Sequence, residues 1–134
     1  MMNTSQERHV VFGTGPLGAA VMRGLLRRGK SVRMVTRTGK PSIATGPAPE
    51  VEFMSADAYE PSGAAAAVAG ATHVYQCAQP PYHRWPEQFP ALQASILKAT
   101  ADAGAIFVVA ENLYMYGDPQ GKPLTEDTAY RPNT

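Results

Sequence analysis

The sequence predicts an α/β fold with a doubly wound parallel sheet, and two features of the chain indicate it. Short apolar segments alternate with amphipathic stretches along most of the 134 residues, which is the order that βαβ units require. The segment 105–110 is apolar throughout, as is typical of a central parallel strand that is buried on both faces. We therefore expect about five strands in the order 3-2-1-4-5.

The first predicted βαβ unit contains a glycine-rich turn directly after an apolar strand at 10–12. In this turn Gly13 would leave the strand sharply, Gly15 would let the backbone approach a pyrophosphate, and Gly18 would let the helix pack closely on the sheet. The pyrophosphate would lie at the helix N-terminus, where free N–H groups and the helix dipole favour an anion. The turn predicts a dinucleotide site formed by Gly13, Thr14, Gly15, Pro16, Leu17 and Gly18.

The periodicity of apolar residues predicts the helix and the second strand of this unit. From Leu17 to Leu25 they recur at the spacing of one helical face, and Gly29 is placed to close the helix in a left-handed conformation. From Val32 to Arg37 basic and apolar residues are mixed, which predicts a strand that is only partly covered.

Charge around the end of the second strand favours NADP over NAD. A site for NAD usually has an acidic residue there for the ribose 2′-hydroxyl, whereas a 2′-phosphate needs an arginine. The segment 8–49 has no acidic residue and holds eight of the 12 lysines and arginines. Arg37, followed by Thr38, is the candidate for a bidentate phosphate contact, with Lys40 as a second charge. The alternative is that these cations only solvate a loop.

Strand and helix signals continue to alternate after this unit. Strands are predicted at 51–54, 72–77 and 105–110, and an alanine-rich helix at 62–69 is opened by Pro61. A longer helix runs from Phe89 to Ala103 and ends at Gly104, while residues 39–49 form a loop rich in proline and glycine. We expect a dinucleotide-binding domain over residues 1–117 and a polar tail over 118–134.

Composition excludes several classes of function. A net charge of +1 and the absence of a basic stripe interleaved with aromatics argue against nucleic acid. No apolar run approaches the ~20 residues of a membrane helix, and the N-terminus lacks the apolar core of a signal peptide. The single cysteine, Cys77, is more often a small apolar filler than a redox thiol, and the three histidines lack metal-ligand spacing. We expect a cytoplasmic protein without a metal.

Several of these motifs resemble those of the short-chain dehydrogenase/reductase superfamily, in particular its extended or atypical branch of NAD(P)-dependent epimerases, dehydratases and reductases. Besides the glycine turn, the matching pieces are Asp57, the segment Tyr114-Met115-Tyr116-Gly117, and the segment 123–127 followed by Pro132. The resemblance implies an oxidoreductase with a Rossmann sheet. It also implies that Asp57 lies near the adenine and that Cys77, Ala78 and Gln79 pass under the nicotinamide side.

Two departures from the family pattern concern catalysis. The family has a catalytic serine or threonine where this chain has Asn112, next to Glu111. The family's Tyr-x-x-x-Lys, which supplies the proton donor, does not occur in the 134 residues. We therefore expect a chain truncated before the catalytic helix and the substrate region, which binds its cofactor without turnover. No catalytic residue is assigned.

Three functions remain open from the sequence: an NADP-binding domain of such an oxidoreductase, a non-catalytic NADP sensor, and a Rossmann-like methyltransferase or flavoprotein domain. The basic loop after the second strand disfavours the third. An unknown small-molecule substrate would contact Glu111, Asn112 and Tyr114, and the mouth of the site would include Tyr82, Arg84 and Trp85. Tyr114 has the alternative of packing against the next element. A homo-oligomer is possible because the truncated sheet would leave one flank uncovered and expose apolar surface.

Overall fold

The computed structural model describes residues 6–132 and contains one parallel sheet flanked by helices. The sheet has five strands in the order β3-β2-β1-β4-β5, which confirms the predicted order. Three α-helices and a single turn of 3-10 helix at Tyr82–Arg84 lie between the strands, and a second such turn at Tyr114–Tyr116 follows the last strand. The elements are β1 (Arg8–Phe12), α1 (Pro16–Leu26), β2 (Ser31–Thr36), β3 (Glu52–Ser55), α2 (Pro61–Val68), β4 (His73–Gln76), α3 (Trp85–Asp102) and β5 (Ile106–Val109).

Each face of the sheet has its own apolar core, because successive side chains of a strand point to opposite faces. On β1, Val10 and Phe12 pack against α2 and α3, whereas Val11 packs on the other face with Met22 of α1. All four side chains are at most 2% exposed. The glycine turn that follows β1 is therefore held by a strand that is buried on both sides.

Strand β2 is buried more completely than its sequence predicts. The expectation of a partly covered strand is wrong, since Arg33 is only 8% exposed. Its Nη1 donates to the carbonyl of Ala67 at 2.8 Å, and its Nε lies 3.0 Å from Oε2 of Glu52. A buried arginine is tolerated when such partners replace the water molecules that would otherwise solvate it. The alternation of charge along β2 could not reveal these partners, because they belong to other elements.

Strand β5 is the opposite case. Its apolar run predicts a central strand buried on both faces, but β5 lies at the edge of the sheet. Phe107 packs on the core beside α2 and α3, while Ile106 and Val108 on the other face are 58% and 42% exposed. No helix within residues 6–132 covers that face, and the run of apolar residues gave no sign of this.

The predicted helix ends are confirmed at two glycines. Gly29 follows α1 with φ +68°, and Gly104 follows α3 with φ +65°. The predicted start of α3 is wrong, because this helix begins at Trp85 rather than at Phe89. Pro86 lies in its first turn, where a missing N–H costs nothing, although a proline in the sequence suggests a break.

Residues 118–132 contain neither helix nor strand. Their separation from the domain at 1–117 stays a prediction, and the last two residues of the predicted tail lie outside the described range. None of the helices in the described part of the chain is both long and apolar enough to cross a bilayer.

A group of polar side chains lies across β1 and β4, away from the glycine turn. His9 is 4% exposed, and its ring stacks on that of His73 with 4.6 Å between centroids. Its Nδ1 lies 3.0 Å from the hydroxyl of Tyr75, and its Nε2 lies 3.4 Å from Glu7, which also pairs with Lys30. Burial lowers the pKa of His9 below 6.5, and the hydrogen bond to Glu7 opposes this only in part.

This lowered pKa predicts a loss of stability in mild acid. Because the unfolded chain takes up a proton on His9 before the folded chain does, the free energy of unfolding should fall as the pH drops below about 6.5. The replacement His9→Gln should remove part of this fall, and His83→Gln, at an exposed histidine, should leave it unchanged. Urea unfolding at about pH 8 and about pH 5.5 measures both. Equal pH dependence in the His9 variant and the parent would contradict the assignment.

Candidate functional site

A cavity of about 690 Å³ opens at the C-terminal ends of β1, β2 and β4. Helices leave β1 and β4 toward opposite faces of the sheet, and this is the position where open α/β sheets bind their ligands. Its walls come from every loop at this edge. The lining consists of residues 12–17, 35–38, 56–59 and 76–81, together with Gln88, Phe89, Leu92 and Ala110.

The three glycines of the turn differ in what surrounds them. Gly13 has φ +103°, and a Cβ there would lie 2.7 Å from the backbone nitrogen of Ala78. A Cβ on Gly18 would overlap the carbonyl oxygen of Gly13, so the first turn of α1 packs directly on the turn. A Cβ on Gly15 would have no atom within 4 Å, because this glycine faces the open cavity. The fold therefore requires Gly13 and Gly18, whereas Gly15 keeps the cavity surface free of a side chain.

The N-terminus of α1 points its free N–H groups at the cavity edge. Gly15 is the N-cap, Pro16 opens the helix, and no side chain among residues 6–132 caps the first turn. The first turn holds no acidic residue, so its positive dipole end is uncompensated. Thr14, next to Gly15, is fixed because its carbonyl accepts a hydrogen bond from Oγ of Ser42 at 2.5 Å. The arrangement suits an anion.

The end of β2 brings a positive charge to the cavity wall. Arg37 and Thr38 line the cavity and are exposed, and the guanidinium of Arg37 has no ion pair or hydrogen bond among residues 6–132. Its backbone is held, since Oγ of Ser55 donates to the carbonyl of Arg37 at 2.7 Å. Lys40 is exposed but lies outside the lining of the cavity.

Asp57 is the acidic residue on this side of the cavity, and it follows β3 rather than β2. Its Oδ1 accepts a hydrogen bond from the backbone nitrogen of Tyr59 at 3.0 Å. Its own carbonyl oxygen would lie 2.5 Å from a Cβ on Gly63, so the loop after β3 packs tightly on the start of α2. The side chain is thus held in a fixed orientation at the rim.

The turn after β4 forms the floor. The nitrogen of Cys77 donates to the carbonyl of Phe12 at 2.9 Å, which extends the pairing of β4 with β1 to the base of the glycine turn. Cys77, Ala78 and Gln79 all line the cavity. Burial raises the pKa of the Cys77 thiol, so the thiol stays protonated near neutral pH and is a poor nucleophile. This agrees with a packing role.

Several lining residues were not predicted from the sequence. The main one is Gln76, the last residue of β4, which is 2% exposed and whose amide has no partner among residues 6–132. It lies on the same face of β4 as Val74, so the sequence indicated which way Gln76 points but not that a cavity lies above it. The others include Tyr59, Gln88, Phe89 and Leu92.

The residues predicted to contact substrate lie beside the cavity rather than in its lining. Of the described residues after β5, Ala110 alone lines it. Glu111 accepts a hydrogen bond from Nε2 of Gln93 at 3.3 Å, and Oδ1 of Asn112 accepts one from the backbone nitrogen of Tyr114 at 2.8 Å. The amide oxygen of Asn112 is thus engaged in a local turn. No group of three metal-ligating side chains occurs within the described residues.

Solved structures share this architecture. The UDP-glucose 4-epimerase of Thermus thermophilus in complex with NAD is 23% identical, with a TM-score of 0.76, and the match covers 93% of this chain and 44% of that one. The Bordetella bronchiseptica enzyme WbmH in complex with NAD+ is 16% identical, with a TM-score of 0.80 and coverage of 96% and 47%. The uronate dehydrogenase from Agrobacterium tumefaciens is 23% identical, with a TM-score of 0.73 and coverage of 96% and 50%.

These matches show the fold: the chain shares the parallel α/β architecture of the three enzymes. The chain spans about half the length of the proteins it matches. No family model matches the sequence, and no curated protein matches it.

Proposed function

We propose that this chain is the NADP-binding part of an epimerase/dehydratase-like oxidoreductase. The observation that carries the proposal is the cleared surface at Gly15, which lies over the uncapped N-terminus of α1 in a cavity at the carboxyl edge of the sheet. An open glycine beside unpaired N–H groups is what a pyrophosphate requires. The fold-level likeness to enzymes solved with NAD supports the same ligand class.

The residues in the cavity fit a dinucleotide at both ends. The pyrophosphate would lie on the first turn of α1, and the adenosine would lie between Arg37 and Asp57. The nicotinamide side would then pass over the turn at Cys77 and Ala78. When bound, the cofactor supplies hydride transfer, and this chain's own residues bind and orient it.

The choice of NADP over NAD rests on this chain's own residues, because two of the three neighbours named above were solved with NAD. The guanidinium of Arg37, which has no ion pair or hydrogen bond among residues 6–132, lines the cavity and would contact a 2′-phosphate. The end of β2 has no carboxylate to accept hydrogen bonds from a ribose diol. Asp57 is engaged with Tyr59 and belongs to the next strand.

The replacement Arg37→Asp tests this preference. Calorimetric titration should show that the parent chain prefers NADPH to NADH by about ten- to a hundredfold, as expected for one charge-assisted phosphate contact. The variant should lose or invert that preference, because an aspartate repels the phosphate and accepts hydrogen bonds from a free ribose. Lys122→Asp makes the same charge change at an exposed site outside this cavity and should keep the preference. An unchanged ratio in the Arg37 variant would remove the argument for NADP.

A second function, a non-catalytic NADP sensor, is favoured by Asn112. The residue replaces the family's hydroxyl, and its amide oxygen is engaged by Tyr114, so no proton relay is available there. In a sensor, cofactor occupancy would control a protein partner. A pull-down whose captured partner changes on addition of NADP would support it.

A further inference from the structure

Three aromatic side chains at the C-terminal ends of β4 and β5 form one surface, which we name the aromatic patch: Tyr82, Trp85 and Tyr114. The ring of Tyr82 lies 4.7 Å from that of Trp85 and 6.4 Å from that of Tyr114, measured between centroids. Trp85 and Tyr114 are 6.3 Å apart. Rings from two separate loops are thus brought together at the edge of the sheet that holds the cavity.

The patch is held in place by its surroundings. Nε1 of Trp85 donates to the carbonyl of Pro80 at 2.9 Å, and Phe89 packs edge-on against the same ring with 5.3 Å between centroids. The turn built on Asn112 fixes the backbone at Tyr114. The rings are therefore oriented before any ligand arrives, which lowers the entropy that binding costs.

The patch continues the wall of the cavity. Pro80, Pro81 and Phe89, which contact or flank the patch, also line the cavity. This wall belongs to β4 and α3, whereas Arg37 and Asp57 lie over β2 and β3 on the other side of β1. A molecule on the patch would therefore adjoin the end of the cavity that is farthest from the proposed adenosine site.

Exposure and area together favour a small ligand. Tyr82 is 66% and Tyr114 58% exposed, although both rings would gain from burial. A stable protein interface buries about 800 Å² on each partner. Three side chains of about 150–250 Å² each, already partly buried on one another, offer only a fraction of that area. The polar pairs around them, Arg84 with Glu87 and Gln93 with Glu111, do not extend the apolar surface.

We propose that the aromatic patch binds a planar aromatic ring of a small molecule, and that this molecule is the substrate that meets the cofactor. The second half of the statement rests on the proposed function. That the patch binds a planar ring does not depend on the proposed function. The rings of Tyr82 and Tyr114 are tilted by 54° and 37° against the ring of Trp85, so an incoming flat ring can stack on one face and meet another edge-on.

Trp85 is the chain's only tryptophan, so its fluorescence reports on the patch directly. The probe is benzyl alcohol, titrated without cofactor and excited where tyrosine does not absorb. Cyclohexylmethanol, which has the same carbon skeleton but no planar ring, is the matched control. We expect saturable quenching by benzyl alcohol with a dissociation constant of about a few millimolar, and weaker or no quenching by cyclohexylmethanol.

The variants locate the effect. Tyr82→Ala and Tyr114→Ala should each weaken benzyl alcohol binding about three- to tenfold. Tyr130→Ala removes a tyrosine that is 69% exposed but packs on Tyr116 rather than on the aromatic patch. This variant should leave benzyl alcohol binding unchanged. Equal binding of the two alcohols, or equal losses in all three variants, would overturn the proposal. So would a Trp85 signal that changes with protein concentration alone, since this would show that a second copy covers the patch.

Titration of the same samples with NADPH distinguishes a failure of the aromatic-patch proposal from a failure of the proposed oxidoreductase. If NADPH binds and benzyl alcohol does not, only the aromatic patch is wrong. If benzyl alcohol binds and no dinucleotide does, the ring site stands and the proposed oxidoreductase fails.

Discussion

The replacement Gly18→Ala is expected to lower the free energy of unfolding by about 2–4 kcal/mol. The new Cβ would overlap the carbonyl oxygen of Gly13, which is backbone and cannot rotate away. Relief requires α1 to move off the glycine turn, and the packing of Met22 against Val11 would loosen with it. Urea unfolding of the chain without ligand measures the loss.

Gly24→Ala is the matched control, because it makes the same change in the same helix. A Cβ at Gly24 would approach nothing closer than 3.7 Å, and those atoms are the mobile ends of arginine side chains. Alanine has the higher helix propensity, so this variant should gain about 0.5–1 kcal/mol. If both variants shift stability in the same direction, the close packing of α1 on the glycine turn is not what Gly18 provides.

The second large effect is on binding and should leave stability unchanged. The replacement Gly15→Ala places a Cβ in open space at a residue whose φ of −71° suits any amino acid. The free energy of unfolding should stay within about 0.5 kcal/mol of the parent. Dinucleotide affinity should fall at least about tenfold, since the methyl group occupies the surface that the pyrophosphate approaches.

Calorimetry with NADPH and urea unfolding on the same preparation test both halves of this expectation. Gly24→Ala is again the control, because Gly24 lies away from the cavity. Gly46→Ala is unsuitable, because φ at Gly46 is +61° and an alanine there would be strained. Undiminished affinity in the Gly15 variant would mean that the phosphates bind elsewhere.

The strand order and the glycine turn could be predicted because their signals are local. Gly13, Gly15 and Gly18 follow an apolar strand and precede an apolar helical stripe, and only a few backbone paths satisfy that order. The same reasoning placed Arg37 at the end of β2, where the structure has it on the cavity wall.

Burial could not be predicted with equal success, because it depends on partners that are distant in sequence. Arg33 is buried by a carbonyl of α2, and Val108 is exposed because nothing among residues 6–132 covers that face of β5. Gln76 was missed for the same reason, since the cavity above it is made by the loops after all five strands together with α3. The proximity of Tyr114 to Trp85 likewise arises only when β4 and β5 pair.

Whether the polar side chains after β5 are free to contact a substrate could not be predicted either. Glu111 and Asn112 follow β5 as the motifs indicated, yet their side chains bond to Gln93 and to the backbone at Tyr114. A pattern that specifies position does not specify whether a polar atom is free, because the partners come from other elements.

Calorimetric titration of the unaltered chain with NADPH measures whether the cavity over the glycine turn binds a nicotinamide dinucleotide. We expect saturable binding of one NADPH per chain, with weaker binding of NADH. A chain that unfolds cooperatively, and is therefore folded, but gives no binding heat with either nucleotide and no shift of its melting temperature would contradict it, since a ligand at a hundred times its dissociation constant adds about 2.7 kcal/mol of stability.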